Sequence, residues 1–316
     1  MSKSIILSQV ANNGPATVSR RISALLTGST DFFQPDYKDK AHVQDFFNEK
    51  AVVDFAGRIA AHYPGRKTLK ILDLCCGHGK PTALLQAELL QLGIQADMTG
   101  YDISKAQIEA AAASYPDINF KVQDLETMTD YNEYDVVVSF FGLHWVGDKK
   151  LMAQKISQAL KPGAQLIFLV PLAKPDLFKC RHTVWERHKK SHTELRSEQT
   201  LQMLPISPKV YQDPLRSHFL TERTASSTYT LRFNEKQFMD FIASWDPAAR
   251  VMKTLISLQA LKPEVLTSYL RSLLSAIQPN CDVSDEVNLS RSQSTILFQE
   301  RLFTYDGTKR NHLSRL

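Results

Sequence analysis

A chain of 316 residues, 43% hydrophobic and 22% charged, is long enough for one large α/β domain with insertions or for two domains. No apolar run approaches the roughly 18–20 residues a membrane span needs, and a formal net charge of +5 is too mild to argue for nucleic acid as a partner. Four cysteines, Cys75, Cys76, Cys180 and Cys281, make no disulfide framework and match no zinc spacing, and the N-terminus turns polar at Asn12-Asn13-Gly14 before it could form the apolar core of a secretion signal. The chain therefore reads as cytoplasmic, with no metal.

Taken in order, residues 1–40 form an N-terminal extension in which Val18–Leu26 could make a short amphipathic helix. Ala41–His62 carries an apolar helical face, with Val43, Phe46, Val52, Phe55 and Ile59, and Pro64-Gly65 stops it. Leu69–Lys80 then reads as a strand, a tight turn at Gly77-His78-Gly79 and the start of a helix with Pro81 in its first turn. The strand–glycine–helix sequence opens a nucleotide-binding βαβ unit. The third glycine of a dinucleotide fingerprint is replaced by Thr82, and no phosphate loop of the GxxxxGK[ST] type is present, so the turn suits a nucleoside without a pyrophosphate.

A second strand ends at Asp102, and Ser104 caps a helix over Lys105–Ser114. The third strand is Ile118–Val122, closing on Gln123-Asp124. The fourth, Tyr134–Phe140, is apolar almost throughout, as in strands buried on both faces. A helix over Lys149–Leu160 leads through Lys161-Pro162-Gly163 to a fifth strand, Ala164–Val170. Strict alternation predicts an α/β fold with a mostly parallel sheet and helices on both faces. Beyond it, 174–204 is helix-like and polar, Ser226–Phe233 alternates as a strand, 234–277 reads as two or three helices, and Thr295–Tyr305 is a last strand. The expected organisation is a single domain over 41–306, with helical insertions near 174–204 and 234–290 and a flexible basic tail from 307 to 316.

Acidic residues punctuate the strands: Asp73 lies just before the glycine turn, Asp102 ends the second strand and Asp124 follows the third. In an open parallel sheet the ligand lies at the carboxyl ends of the strands, where strand order reverses. Asp102, some 20 residues past the turn, stands where a carboxylate would accept both ribose hydroxyls. Asp124, with the backbone of Leu125 beside it, could accept an adenine amine. Helix capping or plain solvation is the alternative for either acid.

Asp73-Leu-Cys-Cys-Gly-His-Gly, Gly100-Tyr-Asp-Ile-Ser, Gln123-Asp124, Asp135-Val-Val-Val-Ser and Leu160-Lys-Pro-Gly together resemble the ordered motifs of class I S-adenosylmethionine-dependent methyltransferases. The resemblance implies a Rossmann-like seven-stranded sheet whose last strand runs antiparallel, with Ser226–Phe233 and Thr295–Tyr305 as strands six and seven. It also implies S-adenosylmethionine held by Asp73, Cys75, Gly77, His78, Gly79, Asp102, Ile103, Asp124, Leu125, Ser139 and Phe140. His78 stands where the family more often has Thr or Ser.

The end of the fourth strand, Leu143-His144-Trp145-Val146, is similar to that of the juvenile hormone acid, trans-aconitate and malonyl-carrier-protein methyltransferases, which esterify small carboxylic acids. This similarity implies a small acidic acceptor, a helical lid, and substrate contacts at Gln44, His144 and Trp145. A carboxylate is already ionised at pH 7 and needs no base, whereas a hydroxyl acceptor would call for one, with His144 as the catalytic candidate. An RNA or protein methyltransferase is the other class. Against base methylation, no Asn/Asp-Pro-Pro-Tyr/Phe motif ends the fourth strand. The basic stretch Arg181–His192 reads as a solvated helix face rather than a metal site or a cationic mouth.

Overall fold

The structure is a computed structural model that describes residues 42–172, 175–195, 207–277 and 296–311. The proposed helix at Val18–Leu26, Cys281 and the last five residues lie outside these segments. By its internal packing the chain separates into two compact units. The larger comprises 33–173, 204–229 and 300–316; the smaller comprises 1–32, 174–203 and 230–299, and so gathers both stretches expected as insertions.

The larger unit begins with helix α1 (His42–His62), followed by β1 (Thr68–Leu74), α2 (Lys80–Gln91), β2 (Gln95–Asp102), α3 (Lys105–Ser114), β3 (Asn119–Val122), β4 (Tyr134–Phe140), α4 (Lys149–Ala159) and β5 (Leu160–Leu172). Helix α5 (Pro175–Ser191) belongs to the smaller unit; α6 (Lys209–Leu215) and β6 (Phe219–Phe233) follow. After α7 (Glu235–Trp245), α8 (Pro247–Ser257) and α9 (Pro263–Ile277), the last strand is β7 (Ile296–Lys309).

The seven strands form one sheet in the order β3-β2-β1-β4-β5-β7-β6. Strands β1 to β5 pair in parallel, and β7 runs antiparallel to β5, placing Tyr305 opposite Phe168. Those two rings stack at 5.2 Å across the ladder, a pairing worth about 0.5–1.5 kcal/mol beyond its area. Every residue of β4 is buried, which explains its unbroken apolar run. Local chemistry sets the helix starts: the Ser104 side chain accepts from Gln107 N, and the Asp148 side chain from Lys150 N and Leu151 N. Strand order reverses between β1 and β4, so a crevice at their carboxyl ends is the fold's ligand position.

Several boundaries differ from the sequence reading. Strand β5 starts at Leu160 because the Lys161-Pro162-Gly163 stretch is absorbed as a bulge that shifts register between Tyr134 and Val136. Strand β6 starts seven residues before Ser226; its first half lies on the sheet edge with Leu220 to Arg223 exposed, so apolar alternation is missing there. Gly307 and Thr308 are strand rather than tail, because the ladder with β5 continues through them, and Lys309 ends that strand. Buried Lys309 donates to Leu160 O at 2.6 Å and Asn132 Oδ1 at 3.0 Å.

The smaller unit is organised around a buried ion pair, Arg181 Nε to Asp246 Oδ2 at 2.7 Å. Asp246 Oδ1 accepts further bonds from Ala248 N, Ala249 N and Tyr269 Oη. A buried pair contributes mainly when its remaining lone pairs are satisfied, as here. Trp185 and His188 both set their rings edge-on to Tyr269. The Arg181–His192 stretch is therefore amphipathic rather than solvated throughout: Arg181, Val184, Trp185 and His188 are buried while His182, Arg187 and Lys190 face out.

Candidate functional site

The chain leaves β1 through Cys75, whose φ of 59° lies in the left-handed region that non-glycine residues seldom adopt. Three hydrogen bonds fix the turn that follows: Cys76 N donates to Tyr101 O at 3.0 Å, Gly79 N to Cys76 O at 3.1 Å, and Gly77 N to Asp102 Oδ2 at 2.9 Å. Gly79 has φ 81°, and a Cβ there would lie 2.6 Å from Phe120 Cζ, so no side chain fits. Burial pushes the Cys75 and Cys76 thiols well above the usual range, which holds them protonated and poor as nucleophiles.

Two carboxylates converge on this turn. Asp73 is buried in β1, where its Oδ2 accepts from Thr82 Oγ1 at 2.6 Å and its Oδ1 has no hydrogen-bond partner. Thr82, at the position of the missing third glycine, thus holds the acid in place. Burial pushes the Asp73 carboxyl up to about 7, with the Thr82 bond opposing and Asp102 adding to the shift. Asp102 is also raised by burial, against the backbone N–H groups that favour its ionised form. Each Asp102 oxygen takes one backbone bond, Oδ2 from Gly77 N and Oδ1 from Ser104 N, both at 2.9 Å, and each keeps a lone pair. Neither acid caps a helix: Ser104 caps α3. Beyond Asp102, the Ile103 side chain is 42% exposed, while half-buried Asp124 accepts from Glu126 N at 2.9 Å and Leu125 packs into the core.

At the end of β4, Ser139 Oγ donates to Leu74 O at 2.7 Å, stitching β4 to β1 where strand order reverses. Phe140 stacks on Phe55 of α1 at 5.0 Å. Phe141 has φ 54° and stacks on Phe47 at 6.1 Å. Gly142 is required by crowding: a Cβ there would lie 2.3 Å from Cys75 Cβ and 2.8 Å from Ser139 Oγ. A 3₁₀ turn, Leu143–Trp145, follows; buried His144 and half-buried Trp145 set their rings 4.7 Å apart. Gln44 belongs to the first turn of α1.

The structure thus brings Asp73, Cys75, Gly77, His78, Gly79 and Asp102 onto one turn, with the β4 end adjoining it through Cys75 and Gly142. The hydroxyl of Ser139 and the ring of Phe140 are engaged in packing the fold. Sequence reasoning missed Lys149. Its ammonium donates to Leu143 O at 2.9 Å, His144 O at 3.4 Å and Val146 O, and lies 5.4 Å from the Tyr211 ring centroid. Burial brings this lysine down to about 8, with Cys75 and Glu126 acting in the opposite direction. Its sequence signal was only a lysine opening an amphipathic helix. Gly142 was legible as a glycine next to aromatics, without the crowding that requires it.

These residues fit an adenosine-bearing cation. Asp73 offers a buried acceptor without a partner, Asp102 offers free lone pairs beside a side-chain-free turn, and Ile103 offers an apolar flank. Residues 71–163 match the family described as a methyltransferase domain. Protein 235L of Invertebrate iridescent virus 6, provisionally named a methyltransferase, is 33% identical over 102 residues, 32% of this chain and 37% of that protein. Trans-aconitate 2-methyltransferase of Methylobacterium radiotolerans is 30% identical over 122 residues, 38% of this chain and 45% of that enzyme. The chain therefore spans less than half the length of these curated relatives. The solved structure of loganic acid methyltransferase with SAH superposes with a TM-score of 0.62, covering 90% of this chain and 98% of that one at 10% identity, a likeness of fold alone. Residues 71–163 thus carry a methyltransferase domain within a sheet of the class I methyltransferase kind, and S-adenosylmethionine is the cofactor that class implies.

Proposed function

We propose that the protein transfers a methyl group to a carboxylate oxygen of a small organic acid. The observation that carries this reading is the 3₁₀ turn after β4. The Lys149 ammonium takes the carbonyls of Leu143, His144 and Val146, so the acceptors of the turn are consumed while a positive charge stands behind it. His144 and Trp145 set their rings 4.7 Å apart on the same turn. Such a turn suits an anion far better than an amine or a nucleobase.

The bound cofactor supplies an electrophilic methyl on a sulfonium. The protein's own part is to position and desolvate: Asp73 and Asp102 hold the adenosine end, and the turn fixes the acceptor. Placing the two reactants together can supply about 7–11 kcal/mol of the barrier. A carboxylate acceptor needs no proton removed, so His144 serves as a wall and donor rather than a base. The match to trans-aconitate 2-methyltransferase supports the same acceptor class.

The test is transfer of a labelled methyl group to pools of small acids, small alcohols and phenols, RNA and protein. Base-labile ester formed from the acid pool is expected, and His144→Ala should keep at least about a tenth of that turnover. Label passing only to RNA or protein would overturn the reading. Complete loss in His144→Ala with cofactor binding intact would instead assign His144 as the base for a hydroxyl acceptor.

A further inference from the structure

Gln107 lies in the first turn of α3 with only 6% of its surface exposed, and its Oε1 takes no hydrogen bond. The oxygen is directed at the glycine turn: it lies 3.9 Å from where a Cβ on Gly77 would stand. Gly77 N in turn donates to Asp102 Oδ2 at 2.9 Å. Two acceptors, one carboxylate and one amide carbonyl, therefore flank the same glycine. A buried acceptor without a donor is uncommon and costly, and the neutral carbonyl of Gln107 has no charged partner to explain it. A vicinal diol presents two hydroxyl donors a few ångströms apart, the complement of this pair.

We propose that Gln107 is a cofactor-recognition residue whose Oε1 accepts a hydrogen bond from one hydroxyl of the cofactor's ribose, with Asp102 accepting from the other. The proposal rests on the methyltransferase reading of the turn. It adds a neutral acceptor to the acid alone, so that ribose is read at both hydroxyls.

The experiment uses Gln107→Met, which keeps the side chain's length and removes its oxygen. Calorimetric affinities of wild type and variant are compared for S-adenosylhomocysteine and for its 2′-deoxy and 3′-deoxy forms, alongside the melting temperature of the cofactor-free protein. Loss of one neutral hydrogen bond should weaken S-adenosylhomocysteine roughly five- to tenfold. The same substitution should cost almost nothing against the one deoxy form that lacks the donor. The cofactor-free variant should melt at the wild-type temperature or above, because a buried orphan has been removed. A merely structural role predicts the reverse: a lower melting temperature and an equal loss against all three compounds, which would overturn the proposal, as would unchanged affinity for S-adenosylhomocysteine. Wild type that binds none of the three would remove the cofactor reading itself, a distinguishable result. Should the Met variant not fold, Gln107→Asn, which withdraws the carbonyl by one methylene, is expected to show the same selectivity between the deoxy forms.

Discussion

The two ends of the parallel strands treat their carboxylates in opposite ways. At the amino end, Asp135 of β4 is saturated: its Oδ2 accepts from Lys70 N at 2.9 Å, and its Oδ1 from Lys161 Nζ at 2.9 Å and Arg66 Nη2 at 3.4 Å. Tyr63 adds a bond to its backbone oxygen. Although burial alone would raise it, the Lys161 and Lys70 bonds hold its carboxyl below the usual range. At the carboxyl end, burial raises both Asp73 and Asp102, and one Asp73 oxygen has no partner. One end is finished by the fold; the other is left with acceptors the fold does not fill. A strand-order reversal is where open α/β sheets take their ligands, so unfilled acceptors there are what the proposed cofactor site would need.

Substituting one acid at each end should separate the two roles most sharply. Asp102→Ala removes the acceptor for Gly77 N and the one proposed for ribose, and the affinity for S-adenosylhomocysteine should fall by at least about a hundredfold, at roughly 1.5–3 kcal/mol for each charge-assisted bond. Unchanged affinity by calorimetry would take Asp102 out of the site. Asp135→Ala should leave that affinity within about threefold yet lower stability by about 1–3 kcal/mol in urea, because Lys70 N and the half-exposed Lys161 and Arg66 lose their shared acceptor. A large loss of cofactor affinity in Asp135→Ala would erase the contrast between the ends.

The same contrast predicts opposite responses to pH. For Asp73, the folded-state value of about 7 exceeds the ordinary carboxyl value of 3.8, so the folded protein binds the proton more tightly. Its contribution to stability is therefore present at low pH and lost as pH rises from about 4 to about 7, at up to roughly 1.4 kcal/mol per pH unit. Asp135, held below its ordinary value, contributes the reverse slope: its stabilisation is present above that value and lost in acid. Asp73→Asn, which can still accept from Thr82, should flatten the first slope and weaken binding of the sulfonium cofactor about three- to tenfold. Binding to wild type near pH 6 should also release protons, read as a buffer-dependent heat. A stability slope unchanged in Asp73→Asn would show that another group titrates.

How much of this was legible in sequence follows the same division. Motifs made of backbone chemistry could be read directly: Gly77-His78-Gly79 as a turn, Ser104 as a cap, and acids following successive strands. The alternation of apolar runs with helical patterns was enough for a mostly parallel sheet, and the family resemblance for seven strands with β7 antiparallel; the order β3-β2-β1-β4-β5-β7-β6 comes from the structure. What depends on contacts distant in sequence was not legible. Thr82 reads as a missing glycine, yet it is the donor that fixes Asp73. Lys309 reads as tail, yet its ammonium closes on Leu160 O. The first half of β6 was missed because an edge strand need not alternate. Gln107 looks like any helical glutamine until its carbonyl is placed against Gly77.

The smallest expected effect concerns the turn beyond β4, and it tests whether the two halves of the site are separable. Lys149 touches three carbonyls of the turn carrying His144 and Trp145, so Lys149→Met should loosen that turn while leaving the Asp73–Asp102 end alone. The expected result is a KM for the acid acceptor raised about three- to fivefold, with S-adenosylhomocysteine affinity within about twofold of wild type. Because burial has brought this ammonium down to about 8, wild-type kcat/KM for an acidic acceptor should fall as pH rises past that value, and the fall should be absent in the Met variant. Arginine at 149 keeps charge but not the compact three-way donor geometry, so it too should show no fall above about pH 8, without recovering the wild-type KM. Equal losses of cofactor and acceptor affinity in Lys149→Met would mean that the turn and the glycine loop move as one body, and the acceptor end would then have no independent support.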